Sequence, residues 1–154
     1  MLGTHSNGLI AEALIKGVKG ISKSLAWEAV QKDAEVPPHR DLELQFADRE
    51  EYTPMEVRAG LTLQKKLGYV AHESTAESAT RTLEHCVNDA TVAVVAEMTG
   101  HEDKAEIYRK RSKMYVNVFN NETGFMAPRF GNGSFLDVPL EGPLAREDGF
   151  TEGK

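Results

Sequence analysis

The segment from Ser74 to Thr99 constrains the fold more than any other part of this chain. Ala76, Ala79, Leu83, Cys86, Ala90, Ala93 and Val94 lie on one stripe whose period is that of an amphipathic helix. Ser74 can cap its start, Gly100 can end it, and Glu77 with Arg81 is expected to add an exposed i, i+4 pair. So long a helix must bury its stripe against other elements. A second amphipathic pattern follows almost at once, from Glu102 to Phe119, with Ala105, Tyr108, Met114, Tyr115 and Val118 toward the core. The connection is too short for anything but an antiparallel neighbour.

The other patterns agree with a helical fold. Leu9, Ile10, Ala13, Leu14 and Val18 recur at spacings of three and four and predict a helix over Asn7 to Lys19, capped by Ser6 or Asn7 and ended by Gly20. A shorter helix is expected over Ser24 to Ala34, with Leu25, Ala26, Ala29 and Val30 inward and Pro37-Pro38 as its stop. From His39 to Thr53 the chain is charged and weakly periodic, which reads as a solvated loop. Pro54 suits a first helical turn, and a helix from there should end at Gly68. Phe125 to Phe130 and Ser134 to Leu136 flank Gly131-Asn132-Gly133 and read as a hairpin, and Asp137 to Lys154 as loop. The fold class is therefore mainly α, built of antiparallel helix pairs, with one small β-hairpin near the C-terminal end.

Composition narrows the function classes. Lys and Arg number 18 against 24 Asp and Glu in 154 residues, a net charge of -6. A nucleic-acid partner is not expected, because such binding needs clustered cations to displace counterions from phosphates. No apolar run is long enough to span a bilayer, so no membrane partner is expected either. Residues Met1 to Lys19 lack the basic region, apolar core and cleavage site of a signal peptide. The single Cys86 excludes an internal disulfide and a Cys-rich zinc cluster. His5, His39, His72, His85 and His101 are scattered without ligand spacing, and no metal site is read within the chain. His85 reads as a helix-face residue. Neither a phosphate loop nor a nucleophile elbow is present.

Two segments combine residues that are unusual for inert loops. Gly3-Thr4-His5-Ser6-Asn7 sets hydrogen-bonding side chains at a helix start, where they either meet a polar ligand or simply cap the helix with His5 packed beside it. Thr151-Glu152-Gly153 places a carboxylate between a hydroxyl and a glycine, where backbone can approach a ligand closely. On its own, Glu152 reads as a surface glutamate.

The chain as a whole resembles glycoside hydrolase family 92, the calcium-dependent exo-acting α-mannosidases. Gly3-Thr4-His5 running into Leu9-Ile10-Ala11-Glu12-Ala13 and Lys16-Gly17 is similar to that family's histidine-bearing segment. Further blocks follow in order: Ala26-Trp27-Glu28-Ala29-Val30, Asp48-Arg49-Glu50-Glu51-Tyr52, Arg58-Ala59-Gly60-Leu61 and Lys65-Lys66-Leu67-Gly68-Tyr69-Val70. Thr75-Ala76-Glu77-Ser78 with Arg81-Thr82-Leu83-Glu84 and Asp89 resembles its central helix, and Asn117-Val118-Phe119-Asn120 with Glu122-Thr123-Gly124-Phe125-Met126 completes the series.

The resemblance implies part of an (α/α)6 barrel associated with an N-terminal β-sandwich. It implies inverting hydrolysis of terminal α-mannosides, of N-glycan or mannan type, in which calcium helps to bind and distort the sugar. An inverting pair of carboxyls stands about 6.5 to 9.5 Å apart to admit a water. The family's general acid lies in a Thr-Glu-Gly motif, which carries the role onto Glu152. His5 is carried over as a substrate-binding residue by its segment match, beside the reading of a helix-start histidine. The family's general base, part of its calcium site and its Trp-Asp mannose-holding segment have no counterpart in these residues. The chain is thus expected to be an internal section of the catalytic domain, lacking the sandwich and the later part of the barrel. It should be inactive alone, carry an incomplete calcium site, and have the rest of the domain and a mannose-containing oligosaccharide or glycoprotein glycan as partners. Export of the full-length enzyme is the family's habit. The reading from a different class is a non-catalytic helical carbohydrate-binding or interaction module, and a third is a decayed product without a stable fold.

Overall fold

A computed structural model of the chain describes residues 3–42, 57–144 and 148–151. Five helices carry the fold: α1 (Ser6–Ile15), α2 (Lys23–Glu35), α3 (Leu61–Leu67), α4 (Ser78–Thr99) and α5 (Glu102–Ser112). Short 3-10 turns lie at His72–Ser74 and Met114–Val118, and strands β1 (Phe119–Asn120) and β2 (Phe125–Met126) pair antiparallel, Phe119 opposite Met126. The chain is mainly helical with one small hairpin, as the sequence patterns predict. None of the helices among the described residues is long and apolar enough to cross a membrane.

The helix α4 is the axis on which the other elements pack. Its C-terminal half supplies Val92, Ala93, Val95 and Ala96 to a core shared with Ala11 and Leu14 of α1, Ala26, Trp27, Val30 and Ala34 of α2, and Ala105 and Tyr108 of α5. Trp27 stacks on His101 in the α4–α5 turn, with ring centroids 4.4 Å apart, and meets Tyr108 edge-on. A smaller core gathers Tyr69, Ala71 and Val118 with Leu67, Leu83 and Met126 under the hairpin.

Several boundaries differ from the periodic reading. The first helix stops at Ile15 because Gly17 takes φ +65° and closes the end with two bonds, Gly17 N–H to Leu14 O and Val18 N–H to Ala13 O. Val18 therefore lies beyond the helix, 54% exposed, and Leu9 (70%) and Ile15 (61%) also face outward. Neither Ser6 nor Asn7 caps this helix: it begins at Ser6, and Asn7 is buried and donates from Nδ2 to Thr4 Oγ1. In α2 the buried set is Ala26, Trp27, Val30 and Ala34, whereas Leu25 and Ala29 are exposed. Its cap is Ser22, whose Oγ accepts from Leu25 N–H at 3.4 Å.

Of the helix read from Pro54 to Leu67, the described part is helical from Leu61. Residues 57–60 form turns, and the Asp41 carboxylate, distant in sequence, accepts from Gly60 and Thr62 N–H at 2.7 and 2.8 Å. The long helix begins at Ser78, not Ser74, because Glu77 adopts φ +60° after an extended Thr75. Ala90, on its predicted apolar stripe, is exposed. The last helix ends at Ser112, where the chain tightens into the 3-10 turn that feeds β1, and Tyr115 is exposed. The predicted hairpin survives as a single Arg129–Phe135 bridge closed by a turn over residues 130–133, and the named strands pair one segment earlier. Residues 43–56, including Pro54 and the Asp48 to Tyr52 block, lie outside the described residues.

Ionic contacts tie the helix pairs where apolar packing ends. Asp89 of α4, fully buried, accepts from Arg111 Nε at 2.9 Å and from Arg58 Nη1 at 3.2 Å. Arg111 also bonds Glu35 Oε1 and the Ala34 carbonyl, at 2.8 and 3.0 Å, so α2, α4, α5 and the turn before α3 meet at one carboxylate. Burial pushes the Asp89 carboxyl up from its ordinary value, while first Arg111 and then Arg58 pull it back.

Two outcomes follow from this architecture. Asp89→Ala strands two buried guanidiniums and should cost about 3–5 kcal/mol, read by chemical denaturation. The exposed Leu9 and Ile15 side chains should drive self-association of the isolated chain. A Leu9→Ser, Ile15→Ser double variant should then run closer to monomer mass in light scattering than the parent.

Candidate functional site along helix α4

Thr80, Glu84 and Asn88 stand at i, i+4 and i+8 on α4, one row about 6 Å between members. Each is partnered by one of the segments singled out by sequence. Asn88 Oδ1 accepts from Thr4 Oγ1 at 3.0 Å, and Glu84 Oε2 pairs with His5 Nε2 at 3.2 Å. Thr80 Oγ1 accepts from Thr151 N–H at 3.1 Å. The two ends of the chain, far apart in sequence, are thus laid side by side one helical turn apart.

The approach at the first segment is close. Gly3 donates from its N–H to the Val57 carbonyl at 3.0 Å, and a Cβ there would press on Asn88 Nδ2. His5 keeps half of its side chain exposed while it leans on Glu84, so a solvent-facing imidazole and carboxylate share one edge of the helix. At the second segment, the carbonyl of Gly149 accepts from Ala79 and Thr80 N–H at 3.1 and 3.3 Å, two of the free donors of the first turn of α4. Glu152 lies outside the described residues, the last of which is Thr151.

A second row runs beside the first and is entirely buried: Glu77, Arg81, His85 and Asp89. Glu77 and Arg81, which the sequence pattern reads as an exposed pair, form their ion pair at 3.8 Å with neither side chain reaching solvent, because the packed elements cover this face of α4. His85, read from sequence as a helix-face residue, is fully buried, and neither ring nitrogen has a hydrogen-bond partner among the described residues. Burial first, then the charges of Arg58, Arg81 and Arg111, hold its pKa well below the ordinary value, so the ring is neutral at physiological pH. Cys86, facing the other side, has its thiol pushed up to about 11 by burial and is inert. Sequence reasoning missed this buried charge row. Charged or polar residues at positions 77, 81, 85 and 89 recur at the spacing of one helix face, but that spacing reads equally as a solvated face.

Beyond the α4 row, the hairpin and the loop after it enclose a cleft of about 950 Å³ whose apolar lining includes Phe125, Phe135, Leu136, Leu140 and Phe150. Among the described residues no three His, Cys, Asp or Glu side chains converge on a point where a metal could sit. The nearby carboxylates are committed elsewhere: Glu84 to His5, Asp89 to two arginines and Glu77 to Arg81. Calcium prefers six to eight oxygen ligands, and these residues do not offer them.

All 154 residues match the glycosyl hydrolase family 92 catalytic domain. The chain belongs to that family. An uncharacterized secreted glycosidase of Arthroderma benhamiae is 30% identical over 154 aligned positions, which take in 86% of this chain and 18% of the relative. Two solved structures from Bacteroides thetaiotaomicron resemble this family 92 fold across 99% of the chain. One is a GH92 α-mannosidase, 27% identical with a TM-score of 0.76, of which 18% is covered. The other is a GH92 inverting mannosidase, 26% identical with a TM-score of 0.78, of which 19% is covered. The first has also been solved in complex with mannoimidazole, at 25% identity and a TM-score of 0.77 over 18% of that chain. The present chain therefore spans less than a fifth of the length of each of these relatives.

The buried imidazole has a measurable consequence. Because the folded pKa of His85 is depressed, the unfolded chain takes up this proton first. The resulting stability is full above the unfolded value of about 6.5 and is lost as pH falls below it. The melting midpoint should drop from pH 7 toward pH 5 by less in His85→Phe than in the parent, and the His85 ring resonances should stay flat over that range in the parent.

Proposed function

We propose that this chain is a section of the catalytic domain of an exo-acting α-mannosidase that removes terminal mannose from α-mannosides with inversion, Glu152 serving as general acid. The observation that carries the reading is the match of the whole chain to family 92, together with its structural likeness to α-mannosidases over 99% of its length. The geometry of α4 adds support. The loop leading to Glu152 and the His5 segment are anchored one turn apart on the same edge, close enough to face one sugar.

In this reading Glu152 donates its proton to the glycosidic oxygen as the bond to the anomeric carbon breaks. A water attacks that carbon from the opposite face and yields its proton to a carboxylate base. The described carboxylates nearest the site are held in ion pairs with His5, Arg58, Arg81 and Arg111, and none is poised as that base. We assign the base to the remainder of the catalytic domain, so the isolated chain is hydrolytically silent. We assign the ligands of the family's calcium to the remainder of the domain as well, since no three His, Cys, Asp or Glu side chains converge among the described residues. The substrate-binding role proposed for His5 is supported by its partly exposed pairing with Glu84, which leaves polar atoms of both free to meet sugar hydroxyls.

The experiment uses an enzyme carrying the complete catalytic domain. Glu152→Gln should slow cleavage of mannosides with unactivated leaving groups by about 10²–10⁴-fold, with substrate binding retained and aryl mannosides of good leaving groups much less affected. Unchanged turnover of the unactivated substrate would remove Glu152 from the role.

A further inference from the structure

We propose that Thr80, in the first turn of α4, is the positioning residue for the loop that delivers Glu152. This inference rests on the reading of Glu152 as the acid. Thr80 holds the loop at two points: its backbone N–H, with that of Ala79, binds the Gly149 carbonyl, and its Oγ1 accepts the N–H of Thr151. A threonine hydroxyl oxygen can accept a hydrogen bond as well as donate one, and here it accepts from a peptide N–H 71 residues away in sequence.

The rest of the surroundings leaves the loop little freedom. Gly149 has φ +85°, and a Cβ at that position would overlap the Pro128 ring and come within 3.3 Å of Ser78 Oγ. Phe150 turns the other way and lines the apolar cleft with Phe135 and Leu136. Asp148 lies near enough to His72 for its charge to act on that ring, whose Nδ1 is 3.4 Å from Ser78 Oγ. Hairpin, 3-10 turn and helix thus clamp residues 148–151 from three sides, and Thr80 bonds the backbone on both sides of Phe150. The peptide N–H it holds belongs to the residue immediately before Glu152. General acid catalysis requires the carboxyl within hydrogen-bond reach of the leaving oxygen, and a shift of about 1 Å is enough to cost about 10²-fold.

The test is made in an enzyme with the whole catalytic domain, using Thr80→Val, which keeps the shape and loses the acceptor, and Thr80→Ser, which keeps the acceptor. Thr80→Val should lower kcat on an unactivated mannoside by about tenfold to a hundredfold with KM nearly unchanged. It should lower kcat far less on an aryl mannoside whose leaving group needs no proton, and Thr80→Ser should restore most of the loss. Equal losses on both substrates, or no loss on either, would overturn the assignment, since a merely structural role does not distinguish leaving groups. If Thr80→Val does not fold, as judged by its melting curve, Thr80→Ala removes the same acceptor and is read on the same pair. Glu152→Gln is run in parallel. If it shows the leaving-group signature and Thr80→Val does not, only the positioning role falls. If Glu152→Gln lacks the signature, the reading of Glu152 falls, and the role of Thr80 with it.

Discussion

Asp89 is the contact on which the assembly of these helices depends. Its carboxylate is wholly buried and takes hydrogen bonds from two guanidiniums, so its desolvation is offset only while Arg58 and Arg111 remain in place. Arg111 in turn closes the C-terminal end of α2 through the Ala34 carbonyl and Glu35, and Lys65 of α3 reaches the same Glu35 at 2.6 Å. That glutamate, partly exposed, is pushed up by its burial but ends below its ordinary value under the hydrogen bond from Lys65 and the charge of Arg111. Four elements are thereby registered through directional bonds at the level where the apolar core of Val92, Val95 and Tyr108 gives out. Apolar packing sets which helices touch. The charge cluster sets how far along one another they lie.

The division of labour along α4 explains how so small a number of residues can hold a site. One face is apolar toward its C-terminal end, a second row carries the buried charges, and a third carries the partly exposed Thr80 and Glu84 and the buried Asn88. The edge row inherits the rigidity of the two buried faces. Groups anchored to it, from the His5 segment and from the loop ending at Thr151, are therefore fixed by a helix and not by each other, which is the more exact way to hold reacting groups.

Much of the fold was legible in the sequence. Gly68 and Gly100 stand where helices end as read, and α4 and α5 are adjacent because only His101 follows Gly100 before the next helix. The misreadings share a cause. Periodicity finds a stripe but not its angular position when apolar residues populate both arcs of a helix, as in α1 and α2, where Leu9, Ile15 and Leu25 face outward and Ala11, Trp27 and Ala34 inward. Tertiary surroundings decide where α3 and α4 start: at one the remote Asp41 carboxylate binds Gly60 and Thr62 N–H, and at the other the left-handed Glu77 is buried with Arg81, four residues on. Of the site, the His5 and Thr151 segments were legible as chemically unusual loops, whereas Arg58, His85 and Arg111 were not, since nothing in a linear pattern distinguishes a buried charge from a solvated one.

The sequence by itself determined that the chain is helical and acidic, and its ordered blocks pointed to family 92. Local propensity, helix stops and charge balance are properties of neighbouring residues, and they can be read in order. Only the tertiary structure decided that Thr4, His5 and Thr151 share one edge of α4 and that His85 is neutral among three arginines. Those outcomes depend on desolvation and on hydrogen bonds between residues remote in the chain, and both exist only once the helices have packed.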